Sequence, residues 1–281
     1  MKSYIKNTLI FICIFCILIF LTFAYRVIQS QNISWKLPKS THVLFMGASH
    51  IEKGINDSIY NGSINLAKGS ERYLFTYLKL KHIVKNNPQI DTLFLQFAPT
   101  DIWKNTDSKY YSANEMSYFL PLYFPYFSNE EWSVYEGMKT SKVGTLLLQK
   151  TLKNLPYNIH SFGEFSPSEK IFDSNHDIYK MPIYQEKGHS INYKYLKKII
   201  SLSNEKNIKL LFLYMPMYKP QDFYDQDYFY KIYSKQFSNI KLLDYSKWHC
   251  PDNFRADEHH LNIAGAKEFT KKLVNDFTKN N

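Results

Sequence analysis

The chain has 281 residues, enough for one sizeable core, and carries 35 Lys and Arg against 25 Asp and Glu, a formal net charge of +10. Its lysines (Lys79, Lys81, Lys85, Lys194, Lys197, Lys198) are scattered through helical and loop segments and read as a solvated basic surface, which argues against a nucleic-acid partner. Of the three cysteines, Cys13 and Cys16 share one apolar run, so Cys250 stands alone in the remainder and no internal disulfide framework is available there.

The first element is "TLIFICIFCILIFLTFAY", residues 8–25, preceded by Lys2 and Lys6 and followed by Arg26. A helix of roughly 20 apolar residues crosses the hydrocarbon core of a bilayer, and this run is just long enough. A cleaved leader is the rival, but "LTFAYRV" offers no small-x-small cleavage site and neither cysteine lies in a lipobox. Residues 1–26 are therefore expected to be an uncleaved single-pass anchor, with the bulk of the chain outside the cytoplasm. Lys2 and Lys6 favour a cytoplasmic amino terminus, while Arg26, Lys36 and Lys39 pull the other way. Residues 27–40 read as a polar tether, and 41–281 as the folded domain.

Within that domain short apolar runs alternate with amphipathic ones. "HVLFMG" (42–47) and "SINLA" (63–67) predict strands, and 70–87 predicts a helix ending just before Pro88. A strand at 92–98 follows. Further on come a helix at 192–207, a strand at 208–216, a helical stretch near 221–236 and a strand at 240–246. Asn262 is placed to cap a last helix. This alternation predicts an α/β fold, a flavodoxin-like three-layer sandwich around a mainly parallel sheet, whose functional residues gather at the carboxyl edge. Residues 101–190 break the rhythm with an aromatic-rich insertion, "YYSANEMSYFLPLYFPYFSNEEWSVYEGM", whose rings suit either internal packing or ligand binding.

Two short stretches carry chemistry. "GASH" (47–50) follows the first strand and puts Ser49 at its carboxyl end, as a helix cap or as a nucleophile. "DEHH" (257–260) precedes the last helix, and a three-residue spacing lets one turn set the Asp257 carboxylate against the His260 imidazole. His259 next door keeps a metal site in consideration, although no second ligand cluster accompanies it.

Taken in order, the Gly-x-Ser corner, the turns after the second and third strands, and the Asp-x-x-His before the last helix resemble the SGNH (GDSL-like) hydrolase superfamily. The resemblance runs from about residue 41 to the end. It implies that Ser49 is the nucleophile, His260 the base and Asp257 its acidic partner. It also implies an oxyanion hole built from the Ser49 and Gly69 N–H groups and Thr100. The family's third block is usually Gly-x-Asn-Asp; here "APTD" (98–101) sets Thr100 where the asparagine stands. Asn65 is an alternative donor, and Asn65 and Asp101 are expected beside the substrate. The divergent blocks and the anchor look like the branch that works beside membrane-bound O-acyltransferases in alginate or peptidoglycan acetylation and lipoteichoic acid D-alanylation. By that likeness the chain is a serine O-acyltransferase or esterase for O-acyl, above all O-acetyl, groups of an extracytoplasmic polysaccharide, needing no metal and no organic cofactor. The alternative is a non-catalytic protein that binds a glycan or scaffolds a membrane-bound acyltransferase.

Overall fold

The computed structural model describes residues 2–136, 158–173, 190–220 and 224–279. In chain order its main elements are α1 (Lys2–Gln31), β1 (Val43–Met46), α2 (Ser49–Gly54), β2 (Ser63–Asn65) and α3 (Tyr73–Asn86). Next come β3 (Thr92–Gln96), α4 (Pro99–Ile102), α5 (Ala113–Tyr123) and α6 (Asn129–Ser133). The last are α7 (Ile191–Glu205), β4 (Lys209–Tyr214), α8 (Gln226–Gln236), β5 (Leu242–Asp244) and α9 (Ile263–Lys279). The chain divides into two compact units, Met1–Ser34 with Tyr111–Ile159, and Trp35–Tyr110 with His160–Asn281.

The second unit is built on a five-stranded sheet of order β2-β1-β3-β4-β5 in which every pairing is parallel. This is the flavodoxin-like order 2-1-3-4-5, in keeping with the expected fold class. Strands covered on both faces read as continuous apolar runs, and β4 shows why. Leu211 and Leu213 join Phe45, Phe94, Phe269 and Leu273 in one core. Phe212 and Tyr214 point the opposite way, where Phe212 stacks on Phe97 at 4.3 Å between ring centroids and Tyr214 meets Phe229 at 5.2 Å. Helices α2 and α9 cover the first face, while α7 and α8 cover the second. The Asn262 side chain accepts hydrogen bonds from the backbone N–H groups of Ala264 and Gly265, so it caps α9 as its position suggests.

The crossover after β1 and that after β3 lead to opposite faces, so the carboxyl ends of these adjacent strands mark the topological switch point of the sheet. Gly47 makes the approach of the two ends possible. Its φ is +152°, and a side-chain carbon there would fall on the Cβ of Gln96. With only hydrogen at that place, Gln96 Oε1 accepts a hydrogen bond from Ala48 N at 3.1 Å, tying the turn before Ser49 to the end of β3.

Two stretches differ from their sequence reading. Within 27–40, read as a polar tether, α1 runs on to Gln31, and Ile33, Trp35 and Leu37 are all buried. The Asn87 side-chain amide accepts from Leu37 N and donates to the Trp35 carbonyl, which ties this stretch to the end of α3. The aromatic-rich segment, where no clear period is visible, contains α5 and α6. Each begins on a serine cap, Ser112 Oγ accepting from Glu115 N and Ser128 Oγ from Glu130 N. The remainder of the 101–190 insertion, 137–157 and 174–189, lies outside the described residues.

Candidate active site

Ser49 is the first residue of α2, delivered to the carboxyl edge of the sheet by β1 and the Gly47–Ala48 turn. Its Oγ lies 2.7 Å from Nε2 of His260, a residue 211 positions further along the chain. The other ring nitrogen of His260, Nδ1, lies 2.8 and 2.9 Å from the two carboxylate oxygens of Asp257. The three side chains expected to act together are thus in one hydrogen-bonded line.

The loop that carries Asp257 and His260 is closed on itself. Arg255 and Leu261 form an antiparallel bridge, and Ala256 N donates to the His260 carbonyl at 2.9 Å. Asn262, besides capping α9, donates to the carbonyls of Asn253 and Arg255. Inside the loop Asp257 Oδ1 also accepts from the backbone N–H groups of His259 and His260, each at 2.9 Å. Burial opposes the ionised carboxylate, but the hydrogen bonds from the His260 ring and these two amides outweigh it and hold Asp257 well below the usual carboxylate range. The carboxylate therefore stays charged wherever the imidazole can act as a base.

Two further histidines flank the line. The His50 ring stands edge-on to His260 at 5.3 Å and nearly parallel to His259 at 6.3 Å. Burial pushes both His50 and His259 below the ordinary imidazole value, and the neighbouring His260 adds to the effect. They remain neutral where a charged pair beside His260 would repel its protonated form. Among the described residues no three His, Cys, Asp or Glu side chains converge as metal ligands.

The residues expected around an oxyanion hole and substrate are placed as follows. Gly69 sits in the turn after β2, where a side-chain carbon would come 2.9 Å from Glu52 Oε2 of α2. Thr100 lies, partly buried, in the first turn of α4, just past the end of β3. Asn65 and Asp101 face the scaffold. Asn65 Nδ2 donates to the carbonyls of Ile51 and Ile55, and its Oδ1 accepts from Ala67 N, which clamps α2 to the second turn. Asp101 Oδ2 accepts from Ala98 N at 2.9 Å and from Gln96 Nε2 at 3.4 Å.

Asp101 is only 4% exposed, and burial pushes its pKa up to about 6 against the opposing pull of Arg72 and the Ala98 hydrogen bond. A carboxyl group whose folded value lies above its unfolded value costs nothing below the unfolded value; stability falls as pH rises from the unfolded to the folded value, and the penalty is constant above that. Asp101→Asn keeps the acceptor without the charge. The variant is expected to be more stable than wild type at pH 8, by about 3 kcal/mol at most. The advantage should shrink through pH 6 and vanish by about pH 4, as thermal melts across that range will read.

Sequence reasoning missed Glu71 and Lys79 as a pair. Lys79, counted above among the solvated lysines, is fully buried. Its ammonium donates to Glu71 Oε2 at 2.8 Å, to the Phe162 carbonyl at 2.8 Å and to the Leu66 carbonyl, while Thr76 Oγ1 donates to the other Glu71 oxygen. One available signal is helical spacing: Lys79 lies three residues after Thr76 and four before Ile83, on the buried stripe of α3.

Fold and site together define a class: a doubly wound α/β domain with a serine, a histidine and a carboxylate aligned at its topological switch point. No family model and no curated protein matches the sequence. Among solved structures, the fold is similar to a GDSL-like lipase of Bacteroides thetaiotaomicron, at 11% identity and a TM-score of 0.45, over 90% of this chain and 95% of that one. It is also similar to a Bacteroides fragilis protein provisionally described as an acylhydrolase, at 12% identity and a TM-score of 0.42, over 90% and 93% of the two chains. A Streptococcus pneumoniae protein provisionally described as a platelet activating factor gives 12% identity and a TM-score of 0.42, over 90% and 89%. At these identities and scores the likenesses say nothing of reaction or substrate.

Proposed function

We propose that the chain is a membrane-anchored serine esterase or acyltransferase acting on O-acyl groups of an extracytoplasmic polysaccharide. The observation that carries the reading is the line from Ser49 Oγ through both nitrogens of His260 to Asp257. In the proposed reaction Ser49 Oγ attacks the ester carbonyl as its proton passes to His260 Nε2. Asp257 holds the Nδ1–H tautomer and offsets the imidazolium charge. The ester C–O bond then breaks, and His260 returns the proton to the departing alkoxide, leaving the acyl group on Ser49. Water or a sugar hydroxyl, deprotonated by the same histidine, attacks the acyl carbonyl; the acyl–Oγ bond breaks, and His260 returns the proton to Ser49 Oγ. The N–H groups of Ser49 and Gly69, with the Thr100 hydroxyl, are proposed to hold the oxyanion. Asn65 and Asp101 shape the turns that carry these donors. A membrane-bound O-acyltransferase as the source of the acyl group, and acetyl as that group, rest on the sequence resemblance alone.

Covalent labelling tests the reading. A fluorophosphonate should label the full-length protein, and Ser49→Ala should abolish the label. With an acetylated donor and an oligosaccharide acceptor, product analysis then separates the two second steps. Acetylated sugar forming faster than free acetate identifies a transferase, since orientation of a bound acceptor can be worth effective molarities of about 10⁵ M or more. Steady release of acetate alone identifies an esterase. A protein that is never labelled is the non-catalytic binder or scaffold.

A further inference from the structure

The first unit places α1 and the aromatic-rich segment in one body, and the exposure of α1 changes sharply along its length. Residues 3–21 are exposed almost all round, with Phe11 at 68% and Phe20 at 71%. That stretch is about 28 Å long at 1.5 Å per residue. The hydrocarbon core of a bilayer is about 30 Å thick. Beyond it, Phe23, Arg26, Val27 and Ser30, one face of the helix by their spacing, are covered or partly covered.

Part of the cover comes from α5, α6 and the turn between them. Phe23 and Val27 pack on a buried cluster of Met116, Leu120, Phe124 and Tyr135. The Phe23 ring meets Phe124 edge-on at 5.6 Å, and the Tyr126 hydroxyl donates to the Ser30 carbonyl at 3.0 Å. Phe127 stands between Trp132, at 5.1 Å, and Tyr135, at 5.9 Å. Tyr118, on α5, leaves 53% of its surface exposed. A helix exposed over one bilayer thickness and then sheathed by Tyr, Trp and Phe has the pattern of a span entering an interfacial belt, where amphipathic rings sit among head groups.

We propose that the α5–α6 segment is a collar seated in the lipid head-group layer around the emerging end of α1, and that α1 is a permanent part of the fold. Removing α1 as a leader would strip Phe23 and Val27 from the apolar cluster they complete. The bilayer interface is the occupant of the outer surface at Tyr118. The inference rests on reading α1 as an anchor and adds to it a second, peripheral lipid contact, which assigns the aromatic rings to lipid rather than sugar.

Nitroxide depth measurements in phosphatidylcholine vesicles test it. Cys250 is buried, so full-length protein carrying Cys13→Ala and Cys16→Ala accepts a label at one added site, Phe11→Cys or Tyr118→Cys. Phe11 should report oxygen access without access of a water-soluble nickel chelate. Tyr118 should report head-group depth, with both quenchers reaching it. Aqueous values at Tyr118 with a lipid-buried Phe11 overturn the collar and leave the anchor standing. Aqueous values at both overturn the anchor and the collar together. In unlabelled protein, lipids brominated near the head group should quench tryptophan emission, and Trp132→Phe should remove most of that quenching. Unchanged quenching in the variant also overturns the collar.

Discussion

His260→Ala should slow acyl-enzyme formation by about 10⁴-fold or more, whereas His259→Ala should keep most of the wild-type rate. The difference follows from geometry, since the two side chains are adjacent in sequence and chemically identical. His260 has Nε2 at 2.7 Å from Ser49 Oγ and Nδ1 against a carboxylate, so it alone can take the serine proton and be held while doing so. His259 contributes its backbone N–H to Asp257, a bond that alanine preserves. Asp257→Asn should fall between the two and nearer to His260→Ala, because the amide favours the wrong imidazole tautomer and cannot offset the imidazolium. Stopped-flow measurement of the acylation burst reads all three. A comparable loss in His259→Ala would remove the proposed division of roles.

Lys79→Met should lower the folding free energy by about 3–5 kcal/mol, the cost of leaving a buried charge without its partner. Glu71 and Lys79 have no exposed side-chain surface, so water cannot take over the contact. For a chain of this size the melting temperature is expected to fall by roughly 2–4 °C for each kcal/mol. Lys79→Met with Glu71→Gln removes both charges and should recover part of the loss, because a buried ion pair contributes less than either orphaned charge costs. Labelling should also slow in Lys79→Met, beyond what the unfolded fraction explains. The ammonium pins the carbonyls of Leu66 and Phe162, and the first of these begins the turn on which Gly69 sits. Denaturant titration and labelling rates on the same samples separate the two effects. A stable variant with an unaltered labelling rate would remove Lys79 from any positioning role.

Some of this was determined by local sequence. A strand covered on both faces reads as a mostly apolar run, so the runs at 42–47, 92–98 and 208–216 declare themselves, and the α/β alternation follows from their spacing. Ser49 at a strand end and Asp257 three residues before His260 are also local statements. A carboxylate and an imidazole at that spacing can meet within one turn, and here they do.

What the sequence could not hold was the partner of each polar group, because that is decided by which distant segments the fold brings together. Lys79 reads as one surface lysine among many until α3 turns it onto Glu71 and two carbonyls. Asn65 and Asp101 stand near the expected blocks, yet the carbonyls of α2 and the Ala98 amide claim their hydrogen bonds. Residues 33–37 look like a linker because their alternating apolar positions are too few to register, yet Ile33, Trp35 and Leu37 are buried. The meeting of Ser49 with His260 belongs to both levels. Each residue is marked by its own neighbours, but only a parallel sheet ordered 2-1-3-4-5, with α2 and α9 on the same face, closes a gap of 211 residues to one hydrogen bond.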